Sequence, residues 1–386
     1  MIGKTVAGIL AVAFVALLVA YMAVQKPMPS EAAWQAACEG GALGLEARNQ
    51  AMEDGYTIHP QYHCIDKQSF EAVQAQQRAW LAGQAQRVAA DEARKAAAAQ
   101  AASQTLAQAR QGFATQIGHV PAHPDPLPAP PPKAFVRVDC TNGSGLSLPA
   151  FVTPDPKDGQ KHPAIVWLTG GDTNSLGEFW TPGPPANDQT ASAFRRAGVV
   201  MMFPVLRGGN SAGGHRQFFH GEIDDVLAAA DTLARLPHVD PEHIYLGGHS
   251  TGGTLALLTS AVSGRFRAVF ALGPAARVTD YGTDLVPVSW AALPPEEARL
   301  RSPIHWLHGI ARPTYLMEGV DRGNAASLSA LCTASRNPQV RCFPVKGLDH
   351  FSMVDVAARL IAARIVQSHM VNTEFDLPAD AFERSR

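Results

Sequence analysis

His243-Ile244-Tyr245-Leu246, then Gly248-His249-Ser250-Thr251-Gly252, then Thr254-Leu255-Ala256-Leu257-Leu258 is the stretch that decides the fold. A short apolar run suited to a strand leads in, and a run of helix formers leads out. Between them lies Gly-x-Ser-x-Gly, a strand-to-helix turn so tight that only small residues can flank the serine. Such a turn projects the Ser250 hydroxyl beyond the carboxyl edge of a sheet. The bare five-residue pattern is a weak signal; the strand before it and the helix after it give it meaning.

Outward from this turn the same alternation continues. Ala164–Leu168, Val199–Phe203, Ala268–Leu272, Pro313–Met317 and Arg341–Val345 are apolar runs of strand length. Helices are expected over 188–197, ended by Gly198, and over the amphipathic stretch 222–236. Continuous apolar strands alternating with helices imply an α/β fold, a mostly parallel sheet with helices on both faces. The segment from Pro274 to Ser302 breaks the alternation and is expected to cap the site.

A serine hydroxyl is a weak nucleophile at neutral pH and needs a base within hydrogen-bond reach. His350, in Gly347-Leu348-Asp349-His350-Phe351, follows the last strand and suits that role. His305, His308 and His369 lie in less suitable places. The acid that orients the base should follow the strand 313–317. Asp321, on the loop, is the leading candidate; Glu318, at the strand end, is the other. Asp349 reads as a turn or cap residue. The oxyanion of a tetrahedral intermediate is expected to meet the main-chain N–H of Thr251 and a donor from Gly170 or Gly171. Arg207-Gly208-Gly209-Asn210 points towards the same edge, as cleft lining or as a structural turn. Arg207 and Arg301 are candidate partners for a charged substrate terminus, with structural ion pairing as the alternative.

These segments together resemble the catalytic domain of the prolyl oligopeptidase family, with its dienelactone-hydrolase and acylaminoacyl-peptidase relatives, from about Lys133 to Met370. The matching stretches are Arg207-Gly208-Gly209, Glu222 to Ala229, Val239-Asp240-Pro241-Glu242-His243-Ile244, Gly248 to Gly253, Arg301-Ser302-Pro303-Ile304 and Gly347 to His350. The resemblance implies the α/β-hydrolase fold and a Ser–Asp–His triad on Ser250, Asp321 and His350. Where the family commonly has His-Gly before the acid loop, this chain has Glu318-Gly319, and the loop is about one residue short. Glu318 therefore stays a candidate. No β-propeller precedes the domain. Peptidase activity does not follow from the resemblance, and it does not reach residues 1 to about 130.

The amino-terminal third differs in character. Thr5 to Val24 is uncharged and long enough to cross a bilayer, so residues 1–27 are expected to form a membrane anchor or, alternatively, a cleaved signal segment. Residues 28–117 are rich in Ala, Gln, Glu and Arg and read as a helical stalk with scope for self-association. The proline-crowded stretch 118–133 is expected to be an extended linker, leaving 134–386 as the catalytic domain. A net charge of −2 gives no electrostatic case for nucleic acid. Of five cysteines, Cys38 with Cys64 and Cys332 with Cys342 could each close a short loop, which favours a periplasmic or extracellular location. No Cys-x-x-Cys pair or His/Cys cluster points to a metal, and the chemistry needs no cofactor.

The sequence therefore leads to a membrane-tethered serine hydrolase acting on a small ester or peptide. A transferase using a bound alcohol in place of water has the same signature. A non-catalytic scaffold with a hydrolase-like domain is the competing class.

Overall fold

The computed structural model describes residues 104–117 and 125–383, with positions 79, 82, 83 and 86–90 before them. The segment Thr5–Val24, the Cys38/Cys64 pair and most of the stalk lie outside the described residues. Among the described residues, no helix is long and apolar enough to cross a membrane.

Eight strands form one sheet: β1 (Val136–Thr141), β2 (Ser147–Val152), β3 (His162–Leu168), β4 (Val200–Pro204), β5 (Val239–His249), β6 (Val269–Leu272), β7 (Thr314–Gly319) and β8 (Val340–Val345). Their spatial order is β1-β2-β4-β3-β5-β6-β7-β8. β1, β2 and β4 pair antiparallel; the pairs from β4 to β8 are parallel. The strand order reverses at β4-β3-β5, the kind of switch point where open parallel sheets bind ligands beyond their carboxyl ends.

The strands are apolar on both sides because both sides are covered. Alternate residues face opposite layers. Leu246 joins a core with Ile223, Val226, Leu255 and Leu258, whereas Tyr245 joins one with Trp167, Phe270, Ile361 and Ile365. The first layer is carried by helices α3 (Glu222–Ala234) and α4 (Thr251–Val262). The second is carried by α2 (Ala193–Arg196) and the long α7 (Ser352–Met370). Helices α5 (Pro295–Leu300) and α6 (Ala325–Ala334) complete the β6–β7 and β7–β8 connections.

Three sequence expectations change. The helix expected over 188–197 shrinks to α2, because the Asp188 carboxylate occupies the backbone before it. Its Oδ1 accepts from the N–H groups of Gly183 and Thr190, and its Oδ2 from the N–H and hydroxyl of Ser192. Such side-chain bonds compete with a helical ladder. The β1–β2 hairpin is new. Its turn is held by Asn142 Oδ1, which accepts from Ser144 and Leu146, while Asn142 Nδ2 donates to buried Asp225 at 2.8 Å.

The third change is the boundary. The compact unit that carries the sheet also takes in the described residues 104–117, upstream of 134. Helix α1 (Leu106–Arg110) opens with a reciprocal Thr105–Gln108 capping box. It buries Leu106 completely, worth about 1.5–3 kcal/mol. Arg110 reaches the Asp224 carboxylate and the His220 carbonyl, both at 2.9 Å. Further on, the Thr115 hydroxyl and the Gln116 N–H donate to buried Glu297, which also pairs with fully buried Arg301 at 2.5 Å. Buried Leu106 and Ile117, together with these polar contacts, thus hold the stretch to the domain.

Of the cysteine pairs, Cys332 and Cys342 are bridged, joining α6 to β8; Cys140 is a buried free thiol.

Candidate active site

Ser250 stands between β5 and α4 with φ 55° and ψ −115°, a strained backbone for a residue bearing a side chain. The flanking glycines are required by space. A methyl on Gly248 would stand 2.4 Å from the Gly252 carbonyl oxygen, and one on Gly252 would stand 2.3 Å from that of Leu168. Close packing of α4 on β3 thus dictates the pattern read in the sequence. As the first residue of α4, Thr251 has an N–H with no partner inside the helix.

Gly170 and Gly171 lie in the loop after β3. A β-carbon on Gly170 would be 3.2 Å from that of Ser250, and the Thr251 hydroxyl donates to the Gly171 carbonyl at 2.9 Å. Both predicted oxyanion segments therefore meet beside the nucleophile.

His350 follows β8 and precedes α7. Its Nδ1 lies 3.0 Å from Glu318 Oε2, and the Glu318 side chain is fully buried at the end of β7. Glu318 Oε1 has no partner. Asp321, the leading sequence candidate, is not brought to His350. It is exposed, and its Oδ1 accepts from the Gly347 N–H at 3.3 Å, closing the loop below the base. Glutamate is one methylene longer than aspartate, so a strand-end position reaches what a shorter acid would reach from the loop. Asp349 caps α7, accepting from Phe351 and Ser352.

One participant went unnoticed in the sequence. His249 fills the variable position before the serine, which the motif leaves open. Its Nδ1 lies 2.8 Å from Gln189 Oε1, and its Nε2 lies 2.8 Å from the His350 carbonyl oxygen. Both oxygens can only accept, so a neutral ring donates to one of the two. Burial, reinforced by the His350 ring 4.4 Å away, depresses the His249 pKa to about 3. A neutral ring thus ties the loop that carries His350 to the nucleophile turn. His249→Asn is expected to slow labelling by a serine-directed fluorophosphonate by about 10- to 100-fold, since roughly 1 Å of misplacement costs about that much. A labelling rate within two-fold of wild type would show the tie to be idle.

His220 is similarly depressed to about 3, by burial and then by Arg301, Arg110 and Arg207. Both histidines are neutral when folded and protonate near pH 6.5 when unfolded. Their contribution to stability is complete above about pH 6.5 and is lost as pH falls towards 3. Two such groups give a slope of up to about 2.7 kcal/mol per pH unit. Urea melts at pH 7, 6 and 5 should show falling stability, with His220→Asn removing about half the slope. Flat stability over that range would contradict two neutral buried rings.

The remaining sequence candidates have structural partners. Arg207 forks onto Asp225, with Nε–Oδ2 and Nη2–Oδ1 both 2.8 Å, and Arg301 is sealed with Glu297. Asn210 is buried, its Oδ1 accepting from the Leu176 N–H and its amide donating to the Leu176 carbonyl. The segment 274–302 does border the site. Asp284 to Pro287, with Phe218, Phe219 and Thr251, line a cavity of about 210 Å³. Tyr281 anchors this cap, its hydroxyl 2.6 Å from that of Thr254 and its ring stacked on Phe219. Arg216, on the cavity wall, is neutralised by Asp172 at 2.6 Å.

A family model described as the prolyl oligopeptidase family matches residues 185–321, a span that takes in Ser250 and Glu318 and stops before His350. Over that span the chain is similar to the prolyl oligopeptidase family. Among individual relatives, the uncharacterized peptidase YtmA of Bacillus subtilis (strain 168) is 27% identical over 143 residues, 36% of this chain and 52% of that protein. Puromycin hydrolase is similar in structure, with a TM-score of 0.50 and 18% identity over 65% of this chain and 42% of that one. The Pyrococcus furiosus esterase Pf2001 aligns at a TM-score of 0.49 and 17% identity, over 66% of this chain and 100% of the esterase. The chain thus spans about half the length of its curated relative. The likeness to puromycin hydrolase supports the α/β-hydrolase fold.

Proposed function

We propose that this domain, similar over residues 185–321 to the prolyl oligopeptidase family, hydrolyses a small ester, or a short peptide or amide, through an acyl-enzyme on Ser250. The observation that carries the reading is the 3.0 Å contact of His350 with fully buried Glu318, together with a serine held in a strained turn. His350 takes the Ser250 proton as the hydroxyl attacks the carbonyl. Glu318, rather than Asp321, holds the ring and stabilises the imidazolium that forms. The N–H groups of Thr251 and of Gly170 or Gly171 receive the oxyanion. His350 then returns the proton to the leaving group, and water, activated by the same base, releases the acid.

The cavity beside Thr251 supports a small, apolar acyl group, because Phe218, Phe219 and Val286 line it and its one arginine is already paired. The Cys332–Cys342 bridge supports an oxidising compartment, periplasmic or extracellular. The test is labelling of the full chain with a fluorophosphonate probe, followed by p-nitrophenyl esters set against aminoacyl and prolyl amides. Labelling with ester turnover alone makes the domain an esterase; amide turnover makes it a peptidase. Failure to label, where a control hydrolase labels, rejects the reading.

A further inference from the structure

At the amino end of β5, far from Ser250, three side chains converge that the proposed hydrolysis does not use. Asp240 and His243 belong to β5, and His369 to the last turn of α7. One donor atom from each lies within 4.8 Å of the other two. Asp240 Oδ2 is 2.8 Å from His243 Nδ1 and 3.2 Å from His369 Nε2. Its Oδ1 accepts the Glu242 N–H at 3.0 Å, which fixes the orientation of the carboxylate. The two imidazoles meet edge to face, with centroids 4.7 Å apart.

We propose that His243, His369 and Asp240 form a binding site for a zinc-class divalent cation. Two imidazole nitrogens and one carboxylate oxygen suit zinc and its neighbours and suit magnesium poorly. Bonds of about 2.0–2.2 Å in a tetrahedral shell keep donors roughly 3.3 Å apart, close to the two Asp–His separations. Small ring rotations therefore suffice to admit the ion. In the metal-free site His243 Nδ1 donates to the Asp240 carboxylate, while its buried Nε2 has no partner. The ring can carry its proton at Nε2 and present the Nδ1 lone pair. The His369 and Asp240 side chains are 24% and 22% exposed, which leaves an approach for the ion and for a water as fourth ligand. Arg267 is the nearby opposing charge, and Glu374, 3.7 Å from it, offsets that charge.

The ion acts as a clasp between the start of β5 and the end of α7. Nine residues of strand at about 3.3 Å each separate Asp240 from the proposed nucleophile, so a role in stability rather than turnover follows.

The test uses the full, tag-free chain after chelation. Zn²⁺ is titrated calorimetrically, Co²⁺ is followed by its visible absorption, and Tm is read with and without Zn²⁺. One equivalent of Zn²⁺ should bind, the Co²⁺ spectrum should be tetrahedral, and Tm should rise by several degrees. Mg²⁺ should do none of this. His369→Gln, at a partly exposed position, and Asp240→Asn, which keeps the cap on Glu242, should each weaken Zn²⁺ at least 30-fold and abolish the Tm rise. No saturable Zn²⁺ binding, or equal binding by both variants, overturns the proposal. None of these readouts depends on the hydrolytic assignment.

Discussion

Glu318→Gln is expected to lower kcat/KM by roughly 10³- to 10⁴-fold, while Asp321→Asn leaves it within about two-fold. The carboxamide is nearly the same shape, so the fold around the buried site survives. Its NH₂, however, cannot accept the Nδ1 proton that His350 must carry for its Nε2 to act as base. The wrong tautomer then predominates, and the imidazolium loses its counter-charge. Asp321 offers the contrast because its carboxylate holds only the Gly347 N–H at the surface. Steady-state kinetics on one ester, with circular dichroism to verify folding, separates the two. A large loss in Asp321→Asn with little in Glu318→Gln would return the acid to the loop.

Ser250→Ala should abolish turnover by about 10⁶-fold, leaving a residue of about 10³ over water from the oxyanion donors and binding alone. Its thermal stability should be close to wild type, since alanine carries the same β-carbon into the same φ of 55°. Ser250→Gly should be equally inactive but more stable by about 1–3 kcal/mol, the strain that glycine relieves. The pair distinguishes a lost hydroxyl from a lost fold. Labelling of wild type by a fluorophosphonate, with none in either variant, ties reactivity to this residue. Silence of wild type as well would favour a non-catalytic binding domain.

The parts legible in the sequence were those whose physics is local. The elbow announces itself through glycines that packing of α4 on β3 demands, and β3 to β8 through runs apolar on both faces. His350 followed from its place after the last strand. The β1–β2 hairpin escaped notice because β1 is an exposed edge whose residues carry little pattern. Asp188 defeated the helix expectation, because its bonds to Thr190 and Ser192 form only in the folded loop. Which of Glu318 and Asp321 contacts His350 depends on which carboxylate points inward, a tertiary matter for groups 32 and 29 residues from His350. The tie from His249 to the His350 carbonyl and the approach of Asp240 to His369 are likewise set by chain segments brought together from afar.

Glu318 sits within the hydrogen-bonded part of β7, where Glu318 pairs with Pro344 and Gly319 with Val345. An acid carried on a surface loop can drift when that loop melts, and activity then fades before the domain opens. Here the carboxylate proposed to orient the base is embedded in the sheet, among the last structure expected to open. On gradual heating, catalytic competence and the near-ultraviolet signal of the core should disappear in a single transition. The loop from Val320 to Asn324, freed of any duty to hold the acid, should tolerate changes in sequence that would disable an enzyme built the other way.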